Sequence, residues 1–423
     1  MQDHPTTTTR PLRIAVLGCG SRGRTYSRIA TSLGGRFELT AAADLVASRA
    51  ATVAGFAPAG SVRTFRSADE FFAAGKLADL LIVATQDAHH YGHATSALHA
   101  GYDLLLEKPA SETLARCEEL DALARSLGRR IAPGFVLRYT PFYSAVKAVV
   151  DSGRLGRIVT MRLSEGVDTF HQAHSYVRGH WAKTKESTPM IVAKCSHDTD
   201  LICWLTGSAP RAISSFGRLD WFREENAPTG APLRCTDGCP AAADCQYDAH
   251  RYLGEKRSWL RMIMDGHETA DDERILEFLK TSPWGRCVYR CDNDAVDHQI
   301  LSVEMENGIT ASLTMTAFDC GRTIEIHGTH GTLRGGSPYQ DAGSPELWFR
   351  DHRSGEIETI PVLEPAVEGY AGHGGGDFGI VNALDGLFRG SNALAPGLDG
   401  LAGHRLAFLA EESRLDGGRP RYS

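Results

Sequence analysis

Nowhere in its 423 residues does the chain hold an apolar run long enough to cross a bilayer. Its opening, Met1 to Arg10, lacks the apolar core of a secretory signal and passes through four threonines, so residues 1–10 read as a disordered tail. Basic charge is short: 45 Lys and Arg stand against 52 Asp and Glu, a net charge of −7, with no long basic run and no helix-turn-helix pattern. A nucleic-acid partner is thereby disfavoured, and with it a redox-sensing DNA regulator. Cysteine is thin and scattered, ten residues over the whole length, which excludes a small disulfide scaffold and suits a reducing cytoplasm. No internal repeat occurs. What remains is an ordinary globular composition, 42% apolar and 23% charged, in a chain long enough for two cores.

The first half alternates in a βα rhythm. Leu12 to Leu17 is an apolar run suited to a buried parallel strand, and it opens into Gly18-Cys19-Gly20-Ser21-Arg22-Gly23 ahead of a helical stretch. In that setting the first glycine permits the turn, the second lets a pyrophosphate approach, and the third lets helix pack on strand. Free N–H groups at the helix start then face the phosphates. A second strand, Phe37 to Ala43, ends on Asp44, about twenty residues after the motif, where a ribose hydroxyl is bound. Asp44 would repel a 2′-phosphate, so NAD is expected rather than NADP. The strand Leu80 to Ala84 delivers a loop from Thr85 to His90 at the carboxyl end of the sheet. The strand beginning at Leu104 ends on Glu107-Lys108-Pro109, placing an amine at the same edge. Burial there would bring a lysine toward neutral-pH proton transfer. Cofactor contacts are therefore expected from Gly18, Gly20, Ser21, Arg22, Gly23, Asp44, Thr85, His90, Glu107 and Lys108.

Together with Gly134-Phe135-Val136-Leu137-Arg138-Tyr139, these motifs resemble the Gfo/Idh/MocA oxidoreductases over nearly the whole chain. The resemblance implies an α/β protein: a Rossmann doubly wound domain, placed at 11–136, and a C-terminal α/β domain with an open, mainly antiparallel sheet, placed at 137–423. It also implies an active site over the nicotinamide, and dimers or tetramers formed through the sheet's outer face.

Within the second domain, Phe170 to Lys185 gathers His171, His174, Tyr176, Arg178, His180, Trp181, Lys183 and Lys185, a possible wall of cations and aromatics for a polar or anionic sugar. Next comes Cys195-Ser196-His197-Asp198-Thr199-Asp200 at the start of an amphipathic helix. His197 falls where the family places its catalytic histidine. Many relatives carry Asp four residues earlier, where this chain has Ala193, followed by Lys194. Substrate contacts are expected from Arg138, Tyr139, Arg178, His180, Trp181, Lys194, His197 and His373, the last from a glycine-rich stretch before a helix at Phe378. Cys235, Cys239, Cys245 and Cys287 are spaced loosely enough to read either as a structural zinc knot or as packed thiols. Strands are expected from Cys287 to Phe318, turning at Asn307-Gly308, and again over 324–333 and 347–360.

The reading is an NAD-dependent enzyme that moves a hydride at a secondary hydroxyl of a carbohydrate, with Lys108 and His197 handling the proton. Two courses follow: a simple sugar or polyol dehydrogenase, or a glycosidase that oxidises, eliminates, hydrates and re-reduces. The second resembles the sulfoquinovosidase-like branch of the superfamily and suits an anionic sugar met by Arg138 and Arg162.

Overall fold

The computed structural model describes residues 10–337, 345–363, 372–390 and 393–423. They form two compact units, Met1–Pro141 with Glu364–Leu401, and Phe142–Leu363 with Ala402–Ser423. A second domain running unbroken from 137 to 423 was expected; instead the chain returns to the first unit. The reason is packing: Ile380, Val381, Leu384 and Phe388 of the helix Gly376–Phe388 join the core built on Val16, Tyr26, Ile29 and Val136. Of the expected tail, residues 1–9 lie outside the described set, and Arg10 pairs with Asp79 at 2.9 Å.

The first unit's strands are β1 (Leu12–Leu17), β2 (Phe37–Ala43), β3 (Arg63–Phe65), β4 (Leu80–Val83), β5 (Asp103–Leu106) and β6 (Arg130–Pro133). All pair in parallel, in the order β3-β2-β1-β4-β5-β6, with the short strand Gly397–Leu398 added beside β6. Such strands are covered on both faces, which is why β4 and β5 read as unbroken apolar runs. Strand order reverses between β1 and β4, so a crevice opens beyond their carboxyl ends. Gly18, Thr85 and Lys108 all follow strands at that edge.

In the second unit the strands are β7 (Ile158–Val167), β8 (Pro210–Arg218), β9 (His298–Met305), β10 (Thr310–Thr316), β11 (Cys320–Gly328), β12 (Gly331–Ser337), β13 (Glu346–Asp351) and β14 (Ile357–Thr359). They build one mixed sheet in the order β14-β13-β12-β11-β7-β10-β9-β8, closed at its far edge by Arg421–Tyr422; only β7 and β10 run parallel. β9 alternates buried and exposed residues, the mark of a sheet covered on one face. The strand expected from Cys287 begins only at His298, because Val288–Arg290 forms a 3₁₀ turn. Among the described residues no helix is long and apolar enough to cross a membrane.

Candidate functional site

The glycine loop divides its labour. Gly18 has φ +91°, and a Cβ there would lie 2.5 Å from the Ala84 carbonyl oxygen; a Cβ on Gly23 would lie 1.9 Å from that of Gly18. These two glycines let the loop fold onto the sheet. Gly20 is different, since a Cβ there would meet nothing within 4 Å. Its backbone borders open space just before Ser21, the first residue of the helix Ser21–Ser32, a cradle that fits a pyrophosphate. The Asp44 carboxylate is fixed beside the loop, accepting from the Cys19 N–H at 2.7 Å and the Val46 N–H at 2.8 Å. The donor set therefore fits a dinucleotide.

Arg22 points elsewhere. Its Nε lies 2.7 Å from Glu107 Oε1, and its Nη atoms donate to the two Asp377 oxygens at 2.8 and 2.9 Å. The Tyr26 hydroxyl, one helical turn on, donates to Glu107 Oε1 at 2.7 Å. Burial raises the Glu107 carboxyl, but the Arg22 charge and hydrogen bond outweigh it, and the group is held below the ordinary range. So Arg22, expected at the cofactor, spends its side chain on an internal ion network. His373 belongs to the same network, its Nδ1 3.0 Å from Asp377 Oδ1 and its backbone at φ +52°. Tyr26 and Asp377 were not singled out as site residues; Tyr26 shares a helix face with Arg22 four residues earlier.

His90 is also internal. It lies in the helix Asp87–His99 and is 1% exposed, with Nδ1 2.7 Å from the Pro109 carbonyl and Nε2 3.0 Å from the Thr85 carbonyl. It thus bridges the residue after Lys108 to the loop after β4. Thr85 Oγ1 meets His93 Nδ1 at 3.1 Å, and burial, aided by His89 and His90, holds His93 down at about 4. Lys108 itself is half-buried, and its backbone N–H donates to Glu107 Oε2 at 3.2 Å. Arg138 is committed to Asp399 at 2.8 Å, while Tyr139 packs at the edge of the core.

In the second unit His197 is the second residue of the helix Ser196–Thr206 and is 6% exposed. An ionic cluster surrounds this helix start. Glu165 on β7 and Arg322 on β11 are direct partners in the antiparallel ladder. Arg322 Nε lies 2.7 Å from Glu165 Oε2 and 3.0 Å from Asp198 Oδ1, and Lys194 Nζ lies 3.3 Å from Glu165 Oε1. Burial pushes the Glu165 carboxyl up against the pull of Arg322 and Lys194. None of Glu165, Asp198 and Arg322 was expected from sequence, because only the strand register brings them together.

The expected aromatic and cationic wall divides in two. Gln172–Val177 winds as a π-helix whose six residues are all buried, and Arg178 follows it into the interior. Arg178 donates to the carbonyls of Arg286 at 2.7 Å and Tyr247 at 2.8 Å, so it braces loops rather than a substrate. His180 is exposed, edge-on to Trp284 at 5.4 Å, and half-buried Trp181 lies against Tyr176. Lys183 pairs with Asp292 and Arg162 with Glu325. Cys235, Cys239, Cys245 and Cys287 line one small cavity in apolar surroundings. Among the described residues no three His, Cys, Asp or Glu side chains are arranged to hold a metal, so the structural zinc is not supported. Burial pushes the thiols of Cys235 and Cys245 up, keeping them protonated and packed.

A parallel sheet with a glycine cradle, an acidic residue closing β2 and a lysine closing β5 defines an NAD-binding oxidoreductase. Two family models agree: an oxidoreductase family with an NAD-binding Rossmann fold matches residues 12–135, and a GFO/IDH/MocA C-terminal domain matches 143–334. The chain belongs to the Gfo/Idh/MocA oxidoreductases. It is 27% identical to the oxidoreductase YteT of Bacillus subtilis over 330 residues, 75% of this chain and 73% of that one. With an inositol 2-dehydrogenase of Saccharopolyspora erythraea it shares 28% identity over 46% of this chain and 54% of that protein, so the chain spans about half the length of this relative. Among solved structures, the WlbA dehydrogenase of Chromobacterium violaceum, in complex with NADH and UDP-GlcNAcA, has a TM-score of 0.64 at 18% identity, covering 100% of this chain and 99% of that one. The aldose-aldose oxidoreductase of Caulobacter crescentus also gives 0.64 at 16% identity, over 98% of this chain and 100% of the other.

Proposed function

We propose that the protein is an NAD-dependent dehydrogenase of a sugar or cyclic polyol, oxidising a secondary hydroxyl. The observation that carries this reading is Lys108, half-buried at the end of β5 beside the glycine cradle, with Glu107 fixed behind it. NAD, when bound, accepts the hydride; the chain must supply everything else. A carbinol releases hydride only as its hydroxyl proton leaves, so a base must reach that oxygen. Lys108 and His197 take that work, one receiving the proton at the amine or ring nitrogen and the other polarising the carbonyl oxygen as it forms. Gly18, Gly20, Ser21, Gly23 and Asp44 orient the cofactor. The substrate class draws support from the names of relatives, an inositol 2-dehydrogenase and an aldose-aldose oxidoreductase.

A redox-neutral glycosidase is the finer alternative, favoured by Lys194 beside Ala193 as an added cation at the His197 helix. Its anionic-sugar form must do without Arg138 and Arg178, whose guanidinium groups already have partners. One experiment tests both: inositols, aldoses and nitrophenyl glycosides, a sulfoquinovoside among them, are incubated with NAD while NADH and nitrophenol are followed. Stoichiometric NADH from a polyol supports the dehydrogenase. Nitrophenol release without NADH supports the glycosidase, and neither signal from any substrate removes both.

A further inference from the structure

Glu165 is 1% exposed, yet it carries a carboxylate whose two oxygens have different partners: Arg322 on one and Lys194 on the other. Arg322 also grips Asp198, the neighbour of His197 on the same helix. Two carboxylates and two cations thus balance in charge inside the second unit, contributed by β7, β11, the end of the short helix Met190–Ala193, and the helix Ser196–Thr206. Cys195 and the buried Tyr143 also lie within reach of the cluster's charges. Burying four charges is expensive, and replacing such a set by apolar residues is often neutral or stabilising. A network of this kind is more readily explained by what it aims than by stability. Lys194, at 15%, and Arg322 are the two members that keep exposed side-chain surface, against 2% for Glu165 and 1% for Asp198, and of these Lys194 carries the compact, rotatable ammonium. Arg322, at 22%, already divides its Nε between two carboxylates.

We propose that Lys194, aimed by Glu165 and Arg322, reads one hydroxyl of the carbohydrate close to the carbon served by His197. Lys194 is then a specificity-determining residue, and Glu165 and Arg322 are positioning residues that act through it. This inference rests on the proposed sugar or polyol dehydrogenase reading. An ammonium anchored on one side by a carboxylate keeps N–H donors for the other side, and a polyol offers oxygens spaced to accept them. The fixed aim matters because a lysine stem otherwise loses much conformational entropy on each contact.

The test compares a turned-over polyol with its series of monodeoxy analogues in wild type, Lys194→Met, Glu165→Gln and Glu165→Asp. Lys194→Met is expected to raise KM for the parent polyol about 10- to 100-fold, the range of a hydrogen bond to a charged group, and to leave KM for NAD unchanged. One deoxy analogue should show the same deficit in wild type and no further loss in Lys194→Met, the signature of a shared contact. Glu165→Gln should follow Lys194→Met on that analogue, and Glu165→Asp should recover part of the parent's KM. Equal losses on every analogue, or an unchanged KM for the parent in Lys194→Met, would overturn the inference. Should Glu165→Gln fail to fold, the partly exposed Lys194→Met still decides. Absence of any polyol turnover in wild type fails the functional reading itself; robust wild-type turnover with unaffected Lys194→Met fails only this inference.

Discussion

Arg22 stands between two buried carboxylates, its Nε on Glu107 at 2.7 Å and its outer nitrogens on both oxygens of Asp377. One guanidinium thereby ties the helix after the glycine loop to the end of β5 and to the helix Gly376–Phe388. Removing it takes from both carboxylates the guanidinium they share and leaves Asp377 to His373. Arg22→Met is expected to destabilise the first unit by about 3–5 kcal/mol, the cost of breaking a buried pair from one side. Urea unfolding followed by tryptophan-independent circular dichroism would measure it. A midpoint unchanged from wild type would mean that the network contributes nothing.

The same network sets an acid limit. Burial pulls the Asp377 carboxyl up, but hydrogen bonds from His373 and Arg22 outweigh it, and the group sits well below the usual carboxylate range; Glu107 is lowered as well. Folded values below unfolded ones mean stability that is fully present above the unfolded carboxyl value, about 4, and lost as pH falls through the folded values. His174 adds a second slope with the same sign. Burial, with Arg178 and His180, lowers it from 6.5 to about 3, so between those limits the unfolded chain takes up a proton that the folded chain refuses. Stability should fall by up to about 1.4 kcal/mol per pH unit there on its account. His174→Gln should flatten the slope below pH 6.5, read by thermal melts across pH.

The nucleotide fold was legible because its strands are buried on both faces and its turns need particular residues. Leu80 to Val83 and Leu104 to Leu106 can hardly be anything but interior strands, and Gly18 and Gly23 are demanded by contacts under 3 Å. Partners across long separations were not legible. Arg22 and Asp377 are 355 residues apart, and Glu165 meets Arg322 only through the register of β7 on β11. Sequence gave the residue types of the His197 helix without the buried quartet around it. It also overcounted cations: Arg138 and Arg178 are the right chemistry for an anion, but each is answered within its own unit by Asp399 or by backbone carbonyls. Cysteine spacing likewise carries no information on where thiols point, so Cys235 to Cys287 fitted either reading until packing was known.

On the proposed function, substitution of Lys108 is expected to separate chemistry from cofactor binding. Its neighbour Glu107 shapes the turn, accepting from the Lys108 backbone N–H at 3.2 Å. Lys108→Met should lower kcat by about 10²- to 10⁴-fold, the usual worth of a positioned acid or base, with the Kd for NAD changed less than threefold or so. NADH fluorescence titration beside steady-state kinetics gives both numbers. Undiminished kcat would take Lys108 out of the reaction.

The glycine loop offers the sharpest contrast, since two of its residues are required by contacts within the fold and a third, Gly20, borders open space. At Gly23 a methyl would sit 1.9 Å from the Gly18 carbonyl oxygen, a contact with backbone that cannot yield without moving the helix from the sheet. Gly23→Ala should therefore destabilise the apoprotein by roughly 1–3 kcal/mol, as overpacking does. At Gly20 the same methyl meets nothing within 4 Å. Gly20→Ala should melt like wild type without cofactor and yet bind NAD at least about tenfold more weakly, because the methyl occupies the space where the pyrophosphate approaches the backbone. Melts with and without NAD read both effects at once: the cofactor should raise the Tm of wild type clearly more than that of Gly20→Ala. An equal NAD-induced rise in the two proteins would place the pyrophosphate somewhere other than this loop.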